Sequence, residues 1–273
     1  MITSKEFDVP GPRVLKGSEH PGRRLAGLSG LIASVLIASA CGGGFDTTPV
    51  AQTPAALGPT AQGLWVGTTS TNRTVTGLVL SDGTSYVLYS AVGNASIIAG
   101  VVQGTGTSSG GTFSSSNAVD FNLEIPSVQA ATVSANYSSK QSFNGTITYA
   151  IGSVTFTSAY DADYETAPSL TTLAGTFSGQ VATSLGVQSA TVTISPSGAI
   201  SGGAGGCSIS GTTSPRTDGN AYNFSITFGT APCAFPNQTF AGFAYFNSVT
   251  KRLYAAAPNA ARNDGVLFVG TKP

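Results

Sequence analysis

The chain has 273 residues with 12 basic and 12 acidic side chains, and only 9% of its residues are charged. Globular proteins usually carry about a quarter charged residues, so Ser, Thr, Asn and Gly must cover much of this surface. The balanced charge and the lack of a basic stripe argue against a nucleic-acid partner.

The first distinctive segment is a short apolar run near the N-terminus. Arg23 and Arg24 precede an apolar stretch from Leu25 to Ala40, and Cys41 follows directly. A charged start, an apolar middle and small residues before a cleavage point are typical of a secretory signal peptide. The stretch is interrupted by Gly and Ser, and it is shorter than the roughly 20 apolar residues that a membrane span needs. We therefore predict that residues 1–40 are a signal peptide with a long leader.

The junction Ala38-Ser39-Ala40-Cys41 resembles the lipobox of bacterial lipoproteins. In that family the chain is cut before the cysteine, whose thiol and new amine then carry acyl chains, so the resemblance implies lipidation at Cys41. Ala38 departs from the Leu that the family prefers at that place, and an ordinary signal peptide cut after Ala40 is the alternative. Several acyl chains hold a protein on a membrane stably. In better-known members of the family, an Asp directly after the cysteine retains the lipoprotein in the inner membrane, and here that position is Gly42. The resemblance therefore implies a lipid-anchored protein of the bacterial envelope, in the outer membrane, on its periplasmic or surface side.

The chain that follows the signal peptide lacks histidine, because the only one is His20. Without histidine it has no Ser-His-Asp catalytic set and no histidine metal site. Cys207 and Cys233 are predicted to form a disulfide, because an exported protein folds in an oxidising compartment. The closed loop would contribute about 3–4 kcal/mol to stability in the chain-entropy model. We expect no enzyme activity and no cofactor.

Residues 41–62 are predicted to form a lipidated, flexible tether, because three prolines and little charge favour an extended chain. After the tether, apolar and polar residues alternate with a period of two, as in half-buried antiparallel strands. The clearest alternations cover residues 119–125, 131–137 and 222–228. No segment has a convincing helical period.

The chain also repeats itself. Gly63-Leu-Trp-Val-Gly67 is echoed by Gly175-Thr-Phe-Ser-Gly179, and each places an aromatic residue between glycines. About eight strand candidates separated by tight turns follow in each half. Eight antiparallel strands close into a small barrel. The sequence thus predicts an all-β protein of two tandem antiparallel domains, residues 63–164 and 165–273, built as small barrels or alternatively as sandwiches.

The strand candidates lie near residues 63–69, 74–81, 84–92, 96–106, 117–125, 130–138, 141–149 and 152–161 in the first half, and near 174–182, 188–195, 198–203, 206–213, 220–229, 238–247, 250–257 and 264–271 in the second. A Cys-Gly-Gly-Gly start, a tether and eight-stranded barrels that open with Gly-x-aromatic-x-Gly also resemble surface lipoproteins of the transferrin-binding and factor-H-binding kind. Those proteins bind host proteins through barrel faces and loops. The resemblance implies a binding role and assigns no binding residue here.

The one acidic cluster consists of Asp161, Asp163 and Glu165, which would share a face at strand spacing. Ca²⁺ takes six to eight oxygen ligands, so this cluster is a weak calcium candidate. The alternative is that the three carboxylates end a strand and keep the link between the halves soluble. Asp120 and Glu124 also share a strand face, as glycosidase carboxylates would, but their alternation is that of a solvated face. We predict no metal site and no catalytic residue.

Three functional hypotheses remain. The first is a non-enzymatic envelope lipoprotein that presents two β-domains to a protein or glycan partner. The second is a barrel that binds a small apolar ligand, and a hydrolase is the least favoured. A barrel interior of small residues with an open mouth would favour the second hypothesis. A filled interior with an exposed aromatic patch would favour the first, although Trp65, Phe177, Tyr245 and Phe246 are predicted to be core residues.

Overall fold

The computed structural model describes residues 60–125 and 127–273, which belong to one compact unit. The predicted signal peptide, Cys41 and most of the predicted tether lie outside these residues. The described chain forms seventeen β-strands, one turn of 3-10 helix and one turn of α-helix. None of its helices is long and apolar enough to cross a membrane.

The first barrel closes in chain order, with β1 paired to β9. Strand β4 pairs directly with β6, and the short β5 adds to one end of β6. The strands are β1 (Gly63–Thr69), β2 (Thr74–Val79), β3 (Thr84–Ala91), β4 (Asn94–Thr105), β5 (Thr107–Ser109), β6 (Thr112–Asn122), β7 (Ser127–Ser138), β8 (Ser142–Tyr149) and β9 (Ser153–Tyr160).

The second barrel has the same up-and-down order and closes where β10 pairs with β17. The 3-10 helix (Ala162–Glu165) and α1 (Leu170–Leu173) connect the two barrels. The strands are β10 (Gly175–Thr183), β11 (Gly186–Ile194), β12 (Ala199–Ala204), β13 (Cys207–Pro215), β14 (Tyr222–Phe228), β15 (Thr239–Asn247), β16 (Arg252–Pro258) and β17 (Gly265–Thr271). The predicted fold class is confirmed as two tandem barrels rather than sandwiches. Among the strands of the described residues, β5 alone was not predicted from the sequence.

The repeated glycine motif has the same structural role in both barrels. Trp65 and Phe177 point into the two interiors and are 1% and 0% exposed. Two residues later, Gly67 lies against the backbone carbonyl of Thr157, and Gly179 lies against that of Val269. A side chain at either glycine would overlap that carbonyl. The motif therefore lets the first strand of each barrel approach the last one closely enough to close it.

The end of the predicted tether is part of the first barrel. Ala61 is fully buried, and its carbonyl accepts a hydrogen bond of 2.9 Å from the indole Nε1 of Trp65. Gln62 donates a hydrogen bond of 2.8 Å to the carbonyl of Asp218. The prediction of a tether up to residue 62 is wrong at this end, because a buried indole N–H needs an acceptor and Ala61 supplies it.

The two barrels pack together through the outer faces of their strands. Val119 and Phe121 of β6 point away from the first barrel and pack with Ala256 and Leu267 of the second. The rings of Tyr86 and Phe243 meet edge to face, with centroids 5.4 Å apart. The outer faces are thus apolar where the barrels meet, so part of each sheet is apolar on both sides.

The predicted faces of residues 119–125 are therefore inverted. The pairing register of β6 with β7 shifts between Ser115 and Ala118. In a regular strand, Phe113 and Ala118 would face opposite sides because they are five residues apart, but here both point inwards. A bulge of this kind moves every later side chain to the opposite face. Asp120 consequently lies inside the first barrel and is 6% exposed. Its assignment to a solvated face is wrong.

A polar contact also joins the barrels. The guanidinium of Arg216 donates to both carboxylate oxygens of Asp218, over 2.8 and 3.0 Å, and holds the pKa of that carboxyl well below its usual range. Both the backbone N–H and the hydroxyl of Ser81, in the first barrel, donate to the same carboxylate. The Tyr164 hydroxyl donates to the Asp218 carbonyl. The loop before β14 is thus fixed against the first barrel.

Gly219 in this loop provides a test of the packing. Its φ is +136°, and a methyl group at its Cα would overlap the buried ring of Tyr164. We expect Gly219→Ala to lower the free energy of unfolding by about 2–4 kcal/mol, because backbone strain and a steric clash add. The matched control is Gly186→Ala, where φ is +121° but no atom lies within 4 Å. The free energy of unfolding of that variant should fall by only about 1 kcal/mol. If denaturant titrations gave the same decrease in unfolding free energy for both variants, this packing would be contradicted.

Candidate functional site: an apolar cavity in the second barrel

The interior of the second barrel contains a cavity of about 190 Å³. Its wall is built mainly from small, aliphatic and phenylalanine side chains that point inwards at alternate positions of the strands. They include Val181, Ala190, Val192, Ile194, Ile200, Ile209, Phe224, Ile226, Phe228, Ala244, Ala255, Val266 and Phe268. None of the residues that line the cavity is charged. An apolar cavity of this kind holds apolar molecules rather than water.

The cavity opens at the end of the barrel that we call the rim. The rim consists of residues 184–185, 205–206, 229–238 and 259–264, which connect the strands there. Leu185 and Pro232 line the cavity and are exposed to solvent at the same time. The cavity is therefore open to solvent at the rim.

The predicted disulfide lies at the rim. Cys207 begins β13, Cys233 lies in the loop of residues 229–238, and their sulfur atoms are bonded at 2.08 Å. The same loop inserts Phe235, whose ring packs against Phe228 and Phe240 with centroids 5.4 and 4.8 Å away. The bridge and the aromatic cluster hold the longest loop of the rim in one position.

The opposite end of the barrel is closed, and we call it the floor. Leu173 of α1 and Phe177 of β10 fill it and are 1% and 0% exposed. The ammonium of Lys272 donates to the carbonyls of Thr172 and Ala174, at 2.5 and 2.8 Å. The same group lies 4.7 Å from the ring centroid of Phe246. Burial lowers the pKa of Lys272, and the neighbouring Lys251 lowers it further.

The first barrel is filled instead. Trp65, Phe113, Phe143 and Phe156 meet ring to ring in its interior, with centroids 5.4 or 5.5 Å apart. These rings belong to the core of the first barrel, whereas the second barrel, whose core also contains phenylalanines, keeps a cavity. Since eight strands fix the diameter of a barrel, the side chains decide whether it is solid or hollow.

A buried polar cluster lies at one end of the first barrel. The carboxylate of Asp120 accepts hydrogen bonds from the hydroxyls of Tyr89 and Tyr149, at 2.8 and 2.9 Å. Burial raises the pKa of Asp120, and the two tyrosine hydrogen bonds oppose part of that rise. Arg73 covers the ring of Tyr89 and forms an ion pair of 2.6 Å with Glu124. The carboxylates of Asp120 and Glu124 thus lie in different environments. This cluster could not be predicted from the sequence, because the β6 bulge is not visible in the alternation.

The acidic cluster does not form a common face. Asp161 caps the 3-10 helix, where its carboxylate accepts from the Asp163 backbone N–H at 3.0 Å. Asp163 accepts from the hydroxyl of Tyr245 at 2.6 Å, and Glu165 pairs with Lys140 at 2.7 Å. The prediction of strand spacing is wrong, because the chain turns into a helix here. In the described part of the chain, no three His, Cys, Asp or Glu residues are grouped so that they could hold a metal ion.

The other residues singled out in the sequence are four aromatic residues and Cys41. Trp65, Phe177, Tyr245 and Phe246 are buried as expected. Cys41 lies outside the described residues, so its lipidation stays a prediction. The sequence did not predict the cavity, because strand alternation alone does not give volumes.

No protein-family model and no curated protein sequence matches this chain. Among solved structures the chain is similar to the crystal structure of the isotype 1 transferrin binding protein B (TbpB) from serogroup B Neisseria meningitidis. The two are 9% identical, the alignment covers 74% of this chain, and the TM-score is 0.28. The chain spans 66% of the length of that protein.

Asp120 gives a test that depends on pH. A carboxyl with a higher pKa in the folded state binds protons more tightly when folded, so its contribution to stability falls as pH rises from about 4 through that raised pKa. We expect the melting temperature of the wild type to fall relative to Asp120→Asn over this range. Tyr149→Phe removes a hydrogen bond that lowers the pKa of Asp120, so the decline should extend to higher pH. Parallel pH curves for wild type and Asp120→Asn would contradict the buried carboxylate.

Proposed function

We propose that the protein is a non-enzymatic binding protein of the bacterial envelope that holds a small apolar molecule inside its second barrel. The observation that supports this most directly is the open, uncharged cavity of about 190 Å³. An engineered apolar cavity of about 150 Å³ binds benzene or xenon, so the volume suffices for a ligand of several carbon atoms.

The energetics support the same proposal. A ligand that fills the cavity would remove apolar side-chain surface from water. Because it binds only the folded protein, it would stabilise the folded state by mass action.

Ala190 provides the direct test, because it lines the cavity midway along β11. Titration with 1-octanol should raise the melting temperature of the wild type and give a saturable heat of binding in calorimetry. Ala190→Phe should abolish both effects because its ring occupies the ligand volume. Ser189→Phe is the matched control, since Ser189 is exposed on the same strand and alternates with Ala190. Equal 1-octanol binding by both variants, or no binding by the wild type, would contradict the proposal.

The membrane location is a separate part of the proposal and is supported by the lipobox resemblance at Cys41. Lipid chains at this residue would hold the barrels at the outer membrane, because a multiply acylated protein stays bound to a bilayer. We expect Cys41→Ser to abolish metabolic labelling with a tagged fatty acid and to release the protein in soluble form. Retention of the variant in the membrane fraction at the wild-type level would count against the anchor.

Presentation of the barrels to a protein or glycan partner stays a prediction from the sequence. Protein interfaces are enriched in Tyr, Trp and Phe. Every aromatic side chain in the described part of the chain is buried or half-buried, and the exposed large apolar residues there are aliphatic. The cavity therefore supports ligand binding more directly than partner binding.

A further inference from the structure

We infer that the ligand of the second barrel is a single unbranched alkyl chain, bound lengthwise with its polar head at the rim. This inference rests on the proposed function and adds the chemical class and the orientation of the ligand. Three features carry it: the length of the cavity, the lack of an unpaired polar side chain at its closed end, and a rim whose two charged side chains, Arg262 and Asp264, already have hydrogen-bond partners.

The cavity is long and narrow. Along β11, every inward residue from the rim to the floor lines it: Gly186, Gln188, Ala190, Val192 and Ile194. Eight residue steps in a strand tilted by about 40° span about 20 Å of the barrel axis. The interior of an eight-stranded barrel is only wide enough for its own side chains or for one small ligand, so a cavity of this length is longer than it is wide. A cavity of this shape accepts a chain more readily than a compact ring system.

The deep part of the cavity offers nothing to a polar head. Thr213 is the one polar side chain that lines it near the floor, and its hydroxyl already donates to the Asn223 carbonyl at 2.9 Å. The floor beyond it is closed by Leu173. A buried polar group without a partner is costly, so the head of an amphiphile must stay at the open end.

The rim suits an alkyl chain that arrives from outside. Residues 184–185, 205–206 and 229–238 contain no charged residue. In residues 259–264, Arg262 donates to the Gln103 carbonyl at 2.8 Å, and Asp264 accepts from Ser184. Leu185 is 75% exposed and lines the cavity, so it provides an apolar contact at the opening. The chain could come from a free amphiphile or from a lipid, since both present the same chemistry here.

A series of straight-chain alcohols tests the inference on the intact protein by calorimetry. From 1-hexanol to 1-octanol to 1-decanol, the affinity should rise about fourfold for each added methylene, until the cavity is filled. 1-Adamantanol has the same number of carbon atoms as 1-decanol in a compact shape, and it should bind at least about tenfold more weakly. Equal or tighter binding of 1-adamantanol would overturn the inference and leave the proposed function standing. If no alcohol binds, both fail.

Variants at two depths test the orientation. Ala244 lines the cavity on β15, towards the floor. Ala244→Leu should change the affinity for 1-hexanol by no more than about twofold relative to the wild type. It should also abolish the rise in affinity from 1-octanol to 1-decanol. Thr193→Leu is the control: Thr193 is exposed on the outer face of β11, so this variant should keep the rise in affinity over the whole alcohol series. The orientation with the polar head at the rim is wrong if Ala244→Leu keeps the rise in affinity from 1-octanol to 1-decanol. It is also wrong if the folded variant no longer binds 1-hexanol.

The source of the chain is tested by incubating the protein with phosphatidylcholine vesicles, separating it and extracting it for mass spectrometry. Phospholipid recovered with the wild type and absent from Ala190→Phe supports a lipid source. No phospholipid, together with chain-length-dependent alcohol binding, supports a free amphiphile. Phospholipid recovered equally with both proteins, without chain-length dependence, would overturn a chain inside the barrel.

Discussion

Closure of eight strands into a ring fixes the diameter of each barrel before any side chain is chosen. Both barrels close in the same way, through a glycine of the first strand that lies against a carbonyl of the last one, Gly67 in the first barrel and Gly179 in the second. With the diameter fixed, the total volume of the inward side chains decides the rest. Trp65 and three phenylalanines pack ring to ring in the first interior. In the second interior, phenylalanines lie among alanines, valines and isoleucines and leave a cavity. The difference between a filled and a hollow barrel therefore lies in the size and the placement of the inward side chains.

The same geometry explains how the barrels are joined. Their outer faces are apolar where they meet, and a hydrogen-bonded loop around Asp218 ties the second barrel to Ser81 of the first. The floor of the cavity belongs to the segment that links the barrels, because α1 carries Leu173. The rim lies at the other end and is held by the disulfide and by Phe235. The molecule thus keeps one end of the second barrel closed and leaves the other accessible.

Much of this architecture could be predicted from the sequence, because alternation and tight turns are local signals. The strands and the burial of Trp65 and Phe177 follow from such signals, and the disulfide follows from the predicted export of a chain with two further cysteines. Asp120 was misplaced because one bulge at Ser115 reverses the faces of the residues after it, and a bulge leaves no mark in the alternation. Asp161, Asp163 and Glu165 were misplaced because a single helical turn is too short to show a period. The cavity depends on summed side-chain volumes around a closed ring, which no local pattern contains.

A crystal structure determined under xenon pressure would show whether the second barrel is hollow and dry while the first is filled. Xenon enters apolar cavities and gives strong scattering, so its position needs no assumption about the natural ligand. We expect xenon inside the second barrel, between Ala190 and Ala255, and none among the aromatic rings around Trp65. Ordered water in the second barrel, or xenon in the first barrel alone, would contradict this expectation.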